Sequence, residues 1–117
     1  MRVNLIDFVV NCVDYFKSAC EGKGIDFRVN VLDQPLAEAV RNNVSLNIRG
    51  EPDALEKITF NYLSNALKFT PRGGRIEFGV ELDRSVASSA KLFVRDTGPG
   101  ISAEGQSKLF QVFSQVD

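Results

Sequence analysis

Apolar residues near the start of the chain recur every three or four positions. This spacing predicts an amphipathic helix with one buried face. The residues with this spacing are Leu5, Val9, Cys12, Phe16 and Ala19. The helix is expected to end at residues 21–24, where a glycine supplies the C-cap.

Four later segments alternate apolar and polar residues, a pattern typical of strands with one buried face. These segments are residues 25–31, 44–48, 76–82 and 91–95. The last two are expected to form an antiparallel pair. Residues 33–43 form a polar connection around Pro35, with or without a short helical turn.

A second helix is predicted from the segment 50–53 to Phe69, with Pro52 where its missing N–H costs little. Ile58 is placed on its core-facing stripe. The sequence of residues 70–74 stops the helix, residues 96–100 must be irregular, and a short helical piece is expected over residues 102–113.

These elements predict one domain spanning residues 1–117. Two long one-faced helices and several half-buried strands favour an α+β, two-layer sandwich, with the helices packed on one face of a mixed or antiparallel sheet.

Composition excludes several classes of function. The chain has 14 basic and 15 acidic residues, for a net charge of -1, and no block of Lys or Arg. Nucleic-acid binding is therefore not expected. There is no histidine, which removes the commonest metal ligand and general base. Cys12 and Cys20 are too far apart on one helix for a disulfide, and two reduced, half-buried cysteines in a cytoplasmic chain are expected.

Two amides and an ammonium group share one flank of the second helix. At 100° per residue, Asn61, Asn65 and Lys68 fall within roughly 60° of one another. Magnesium prefers oxygen ligands and often takes few from protein when phosphates are present. The flank therefore suits a cation bound together with phosphates, and a solvated polar flank is the alternative interpretation.

A second candidate site follows the last predicted strand. Asp96 begins an Asp-Thr-Gly-Pro-Gly sequence, and a carboxylate fixed at a strand end can accept a hydrogen bond from an exocyclic amine such as that of adenine. Gly98 and Gly100 would let backbone approach a planar ring. Taken alone, this pattern is equally that of a simple turn.

Three ordered motifs resemble those of bacterial sensor histidine kinases. Residues 61–71 resemble the N box, residues 96–101 the G1 box, and residues 109–113 the F box. The chain is similar as a whole to the catalytic ATP-binding domain of these kinases, a Bergerat fold.

The resemblance implies a role for each candidate residue. Asn65 would ligate Mg2+ through its amide oxygen, and Asp96 would bind the adenine amine of ATP. Asn61 and Lys68 would face the phosphates. The remaining cofactor-binding positions implied by the boxes are Phe69, Gly98, Gly100 and Ile101.

The resemblance also bears on the reaction. ATP-hydrolysing relatives carry a glutamate general base where this chain has Asn61, and an amide cannot accept a proton from water. The similarity therefore implies a parent that transfers the γ-phosphoryl group of ATP to a histidine and then to a response regulator. The implied partners are a dimerisation domain with the phosphoacceptor histidine and a receiver domain.

Two departures from the family pattern qualify this expectation. The G2 box, which supplies a cradle of backbone amides for the phosphates, is expected after Asp117 and is not in the sequence. Without it and without histidine, the chain by itself is expected to be inactive and to bind ATP and Mg2+ weakly. We expect the fold to be incomplete at its C-terminus, and the parent to be either cytoplasmic throughout or membrane-anchored.

Two other functions stay open at this point. The chain could be a non-catalytic interaction or regulatory module that forms homodimers through the open sheet. It could also resemble the anti-sigma-type kinases, which share the ATP-binding fold and phosphorylate serine.

Overall fold

The structure, a computed structural model, describes residues 2–83, 89–96 and 107–112. Within these ranges the helices are α1 (Leu5–Lys23), α2 (Leu36–Arg41) and α3 (Pro52–Phe69). The strands are β1 (Arg2–Asn4), β2 (Asp26–Val31), β3 (Gln34–Pro35), β4 (Asn47–Arg49), β5 (Arg75–Asp83), β6 (Ser89–Asp96) and β7 (Ser107–Val112).

The main sheet has five strands in the order β3-β2-β5-β6-β7. Strands β2 and β5 are parallel, and every other neighbouring pair is antiparallel. A parallel pair requires a crossover connection, which here contains α2, β4 and α3. The sheet is therefore mixed, which is one of the two arrangements, mixed or antiparallel, that the sequence predicted.

The helices cover one face of this sheet. The buried residues of β5 and β6 on that face pack against the apolar stripes of α1 and α3. The larger side chains in this core are Leu5, Val9 and Phe16 of α1, Leu63 of α3, and the strand residues Ile76, Phe78, Val80, Leu92 and Val94. Since one face of each strand and one stripe of each helix is apolar, the layers bury these surfaces against each other. The α+β two-layer sandwich is confirmed.

The opposite face of the sheet carries polar groups. Asn30 donates a hydrogen bond to Glu77 (2.9 Å), and Arg95 lies 3.5 Å from the same carboxylate. The one large apolar side chain described there, Phe93, packs on Gly79, where an added Cβ would lie 2.7 Å from the ring. The Arg95 guanidinium lies 4.2 Å from the ring centroid, so Phe93 is only 4% exposed.

The strand predicted over residues 44–48 is wrong in extent and in place. Only Asn47–Arg49 is a strand, and it pairs with β1 in a separate two-stranded antiparallel sheet. The Leu5 N–H donates to the Leu46 carbonyl oxygen at 2.8 Å, which ties this segment to the start of α1. The polar connection before it contains β3 and the short helix α2.

The helix expected over residues 102–113 is also wrong where the structure describes it. Residues 107–112 form β7, which pairs antiparallel with β6 from Ala90 to Arg95. Strand β6 has β5 on its other side, so without β7 a row of its N–H and carbonyl groups would lack partners. The hydrogen bonds that β7 forms with these backbone groups stabilise the strand more than a helix would be stabilised by burying its few apolar residues.

Candidate nucleotide site

Helix α3 presents a buried stripe to the sheet and a polar flank beside it. Its buried residues are Leu55, Thr59, Leu63 and Ala66, and the helix contacts β6. Ile58 is 45% exposed, so its placement on the core-facing stripe was wrong. The stripe is centred about 95° around the helix from Ile58, because Thr59 takes the buried position. Ile58 therefore lies on the flank that carries the candidate residues.

The three polar candidates of α3 differ in exposure. Asn61 and Lys68 are exposed, while Asn65 is half-buried. The Lys68 ammonium lies 5.3 Å from the centroid of the Phe69 ring, which is itself 60% exposed. A half-buried amide between two exposed polar groups can bind a polar ligand without a large change in packing.

The end of α3 is held by a residue that sequence reasoning did not single out. The Lys23 ammonium, in the last turn of α1, donates to the carbonyl oxygens of Leu67 (2.6 Å) and Lys68 (3.2 Å). The last carbonyls of a helix have no intrahelical partners and carry negative partial charge. Lys23 thus fixes the position of the turn that carries Lys68, and only its place near a helix C-terminus could have suggested this.

Asp96 is the last residue of β6 and is buried, with 7% of its surface exposed. Its Cα pairs with that of Ile76, at the start of β5. The short segment 70–74 connects the end of α3 to β5. The topology therefore puts Asp96 at the same end of the molecule as the last turn of α3. The other G1-box candidates, Gly98, Gly100 and Ile101, lie outside the described residues.

Two buried hydroxyls near this helix were not anticipated. The Oγ1 atoms of Thr59 and Thr70 are fully buried and have no hydrogen-bond partner among the described residues. Thr70 is the C-cap of α3, and its N–H donates to the Ala66 carbonyl oxygen at 2.9 Å. Buried hydroxyls without partners are uncommon and costly. No feature of the sequence distinguishes these threonines from surface ones.

Neither cysteine offers reactive chemistry. Both are free and fully buried, so the expectation of half-burial was wrong. Burial raises the pKa of Cys12 to about 12, with a smaller contribution from the negative charge of Glu56. Burial also raises the pKa of Cys20. A thiol that stays protonated is neither a nucleophile nor a metal ligand.

Residues 2–83, 89–96 and 107–112 contain no group of three or more Cys, Asp or Glu side chains placed to hold a metal ion. A divalent cation at α3 would therefore depend on neutral oxygens such as that of Asn65 and on oxygens of its own ligand. The amides and the ammonium fit such an arrangement. None of the helices in the same ranges has the length and hydropathy needed to cross a bilayer.

Comparisons with known proteins agree with this architecture. Residues 50–117 match the family of histidine kinase-, DNA gyrase B- and HSP90-like ATPases. The chain is 32% identical over 119 residues to the autoinducer 2 sensor kinase/phosphatase LuxQ of Vibrio vulnificus, covering 97% of the chain and 12% of that protein. It is 32% identical over 99 residues to the signal transduction histidine-protein kinase BarA of Escherichia coli, covering 81% of the chain and 10% of BarA.

Solved structures show the same fold. The catalytic domain of histidine kinase ThkA superposes with a TM-score of 0.67 at 19% identity, covering 89% of this chain and 62% of that one. The mycobacterial sensor histidine kinase MprB gives 0.64 at 22% identity, covering 89% and 59%. The chain spans about a tenth of the length of the sequence relatives named above. It belongs to the histidine kinase-, DNA gyrase B- and HSP90-like ATPase family, as an ATP-binding catalytic domain of the sensor histidine kinase type.

Proposed function

We propose that this domain binds ATP with Mg2+ between the polar flank of α3 and Asp96, and presents the γ-phosphate to a histidine of another domain. The observation that carries the proposal is the position of Asp96, a buried carboxylate at the same end of the molecule as the last turn of the helix that bears Asn61, Asn65 and Lys68. A carboxylate removed from water discriminates strongly between a hydrogen-bond donor and an acceptor.

Each residue has a distinct part in this proposal. Asp96 accepts a hydrogen bond from the exocyclic amine of adenine. The half-buried Asn65 supplies a neutral oxygen to the cation, which adds no anion beside the triphosphate. Lys68 and Asn61, both exposed on the same flank, face the phosphate oxygens. Phe69 is proposed as a further contact of the nucleotide, as are Gly98, Gly100 and Ile101, which lie outside the described residues.

Phosphoryl transfer to another protein, rather than hydrolysis, follows from the groups on this flank. At neutral pH neither asparagine can take a proton from water. When bound, the magnesium ion neutralises charge on the phosphates. The chain has no histidine, so the acceptor must lie elsewhere. We propose a phosphoacceptor histidine in a dimerisation domain of the parent and a response regulator as the final acceptor.

A relative supports the proposed partner. One solved structure contains histidine kinase ThkA in complex with the response regulator protein TrrA, and this chain matches ThkA there with a TM-score of 0.66 at 19% identity. The likeness shows a shared fold, and a receiver domain as partner of the present chain is our proposal. A cytoplasmic location belongs to the same proposal, because ATP and response regulators are found there.

Calorimetric titration with nucleotide tests adenine recognition. Asp96→Ala should lower the affinity for ATP about 10- to 100-fold, the effect of losing one charge-assisted hydrogen bond. The wild-type domain should bind ATP more tightly than inosine triphosphate, which has a carbonyl in place of the amine. Asp96→Ala should abolish that preference. An unchanged preference would remove Asp96 from the site.

The magnesium part has its own test. Asn65→Ala should remove most of the gain in ATP affinity that Mg2+ gives the wild-type domain. Asn11→Ala is the matched control, because Asn11 is an exposed asparagine on α1. Equal magnesium dependence in the Asn65 and Asn11 variants would contradict the assignment.

The open face of the sheet gives the alternative function, a module that dimerises through the sheet, no support. The large apolar side chains exposed among the described residues are Tyr15, Val40, Ile58 and Phe69, and all of them lie on helices. The described side chains on the open sheet face are mostly polar and ion-paired. Nothing in the described residues favours an anti-sigma-type serine kinase either.

A further inference from the structure

The corner between α1 and β2, residues 23–26, holds the segment that connects α3 to β5. The Gly73 N–H donates to the Gly24 carbonyl oxygen at 2.8 Å, and the Asp26 N–H donates to the Gly74 carbonyl oxygen at 2.9 Å. Both contacts are made by backbone atoms, so they do not depend on the side chains of the corner. The backbone of this corner thus fixes the start of β5 relative to the end of α1.

The last turn of α3 contacts the same corner through a side chain. The Lys23 ammonium donates to the carbonyl oxygens of Leu67 and Lys68 at 2.6 Å and 3.2 Å. In a continuing α-helix the Leu67 carbonyl would accept from the N–H of residue 71, but this residue is Pro71, which has no N–H. Lys23 therefore supplies a donor that the sequence of α3 cannot supply.

Burial anchors one side of this turn and leaves the other side to Lys23. Ala66 and Thr70 are fully buried, and the Thr70 N–H donates to the Ala66 carbonyl oxygen at 2.9 Å. Lys68 and Phe69, which lie between them in the chain, are exposed. Their backbone is at the end of the helix, where turns open most readily. The hydrogen bonds of Lys23 hold this exposed half of the turn.

The position of the Lys68 side chain depends on the same turn. Lys68 follows the half-buried Asn65 by three residues, which places both on one flank of α3. If the last turn unwinds, Lys68 leaves this flank, whereas Asn65 lies one turn earlier and stays in place. The hydrogen bond from Lys23 to the backbone of Lys68 therefore determines where the Lys68 ammonium can reach.

We infer that Lys23 is a positioning residue for the phosphate side of the nucleotide site. It acts through the backbone of α3 and not through contact with the nucleotide, because two of its three N–H donors already bind carbonyl oxygens. By keeping the last turn helical it keeps Lys68 beside Asn65, where both can act on one triphosphate. This inference rests on the proposed function, and it adds α1 to the elements on which ATP affinity depends.

Two other roles of Lys23 would give different results in binding experiments. A purely structural role would lower the affinity of the site for every ligand, with or without phosphates. A direct attraction between the Lys23 charge and the triphosphate would not depend on Lys68. The positioning role predicts a loss of affinity that is confined to ligands with phosphates and that requires the Lys68 side chain.

Amide hydrogen exchange of the nucleotide-free domain tests the premise. Lys23→Met keeps an unbranched side chain and removes its donors, and should speed the exchange of the Phe69 and Thr70 amides at least about tenfold. Lys23→Arg, which can donate to the same carbonyl oxygens, should leave both amides protected. Lys17→Met is the matched control, because Lys17 is an exposed lysine earlier on α1. Unchanged exchange of both amides in Lys23→Met would overturn the inference.

Calorimetric titration with two ligands tests the role of Lys23 in binding. Lys23→Met should lower the affinity for ATP by about 3- to 10-fold, the effect of displacing one hydrogen-bonding group. The affinity for adenosine, which has no phosphates, should change by less than about twofold. Lys23→Arg should restore ATP binding, and Lys17→Met, which removes the same charge, should change neither affinity. An equal loss for ATP and adenosine would assign Lys23 to the fold alone and overturn its positioning role.

A double-mutant cycle identifies the residue through which Lys23 acts. In a domain that already carries Lys68→Met, adding Lys23→Met should cause no further loss of ATP affinity, whereas additive losses would overturn the inference. If Lys23→Met does not fold, Lys23→Gln, with its shorter side chain, takes its place in both experiments. A wild-type domain that does not bind ATP would refute the proposed function and this inference together. Unchanged ATP affinity in Lys23→Met would refute the role of Lys23 alone.

Discussion

The two long helices lie on the same sheet and contact each other, yet they are built differently. Helix α1 begins at Asn4, whose side chain accepts from the N–H groups of Ile6 (3.0 Å) and Asp7 (3.4 Å), and it ends at Gly24 in the left-handed region. Within the described part of the chain, no side chain forms a hydrogen bond at the N-cap of α3. Its C-terminus is held by Lys23 of α1. Each end of α1 is thus set by its own sequence, whereas the end of α3 depends on its neighbour.

The two helices also differ in the side chains that they bury and expose. The buried stripe of α1 is apolar throughout, while that of α3 includes Thr59, whose hydroxyl has no hydrogen-bond partner among the described residues. Ile58 and Phe69 of α3 are largely exposed. Departures from good helix design concentrate at functional sites. The contrast fits our proposal that α3 binds the nucleotide, while α1 mainly stabilises the fold.

The sharpest test compares one phenylalanine from each helix. Phe16 of α1 is 4% exposed and packs on Phe60 with ring centroids 5.1 Å apart. Phe16→Ala should lower the free energy of unfolding by about 3–5 kcal/mol. Phe69→Ala, at an exposed position, should change it by less than about 0.5 kcal/mol. Urea unfolding measures both. A large loss with Phe69→Ala would mean that α3 contributes to the core at its end as well.

The C-cap of α1 provides a second pair of variants. Gly24 has φ 76°, and an added Cβ would lie 3.1 Å from the Arg72 side chain. Gly24→Ala should cost about 1–2 kcal/mol, since a side chain is disfavoured in the left-handed region. Gly22 lies inside α1, and apart from its own helical turn no atom of the described residues lies within 4 Å of an added Cβ, so Gly22→Ala should stabilise the fold by up to about 1 kcal/mol. The midpoint of thermal unfolding should fall in Gly24→Ala and rise in Gly22→Ala. A shift of both midpoints in the same direction would contradict the role of Gly24 as the C-cap.

Alkaline pH should lower the stability of the fold through the ionisation of Cys12, which is buried in α1. The pKa of this thiol is raised to about 12 in the folded state, so between about pH 9 and 12 the unfolded chain loses a proton that the folded chain keeps. Stability must then fall as pH rises, by about 1.4 kcal/mol for each unit of pH above the unfolded pKa.

Urea unfolding at about pH 8 and about pH 10 measures this loss. The difference should be smaller in Cys12→Ala, which lacks the titrating group and leaves Cys20 in place. A Cys12→Ala variant with the same pH dependence as the wild type would show that this thiol ionises freely in the folded domain.

The smallest expected effect concerns the hydroxyl within α3. Thr59→Val keeps the shape of the side chain and removes a buried hydroxyl that has no partner in the described residues, which should stabilise the fold by up to about 1 kcal/mol. Thr59→Ser keeps the hydroxyl and removes a methyl group, and should destabilise it. If Thr59→Val lowers the free energy of unfolding in denaturant titrations, the Thr59 hydroxyl has a hydrogen-bond partner in solution. The buried stripe of α3 would then be as well satisfied as that of α1, contrary to our inference.

The sequence predicted α1 well because its signals are local. Apolar spacing and a glycine after the last turn both lie within one segment, and α3 and the antiparallel pair of β5 and β6 were found in the same way. Strand β7 was missed because its formation depends on the unpaired edge of β6, which is distant along the chain. Residues 44–48 were assigned to the main sheet because alternation predicts a strand but not its partner.

The candidate site shows the same division. The flank of Asn61, Asn65 and Lys68 follows from helical geometry, and Asp96 from its place at a strand end. Lys23 and Thr70 could not be predicted, because their importance comes from contacts across elements: Lys23 reaches α3 from α1, and Thr70 is buried where α3 meets the sheet. Ile58 was misplaced because a polar residue, Thr59, occupies the core position.

The hydrogen bonds of Lys23 have an electrostatic consequence for a bound polyanion. The last carbonyls of α3 carry the negative partial charge of the helix, which would repel a triphosphate lying nearby. The Lys23 ammonium, at 2.6 Å and 3.2 Å from two of these oxygens, offsets that repulsion. The charge of Lys68, on the same turn, can then act outward instead of compensating its own backbone.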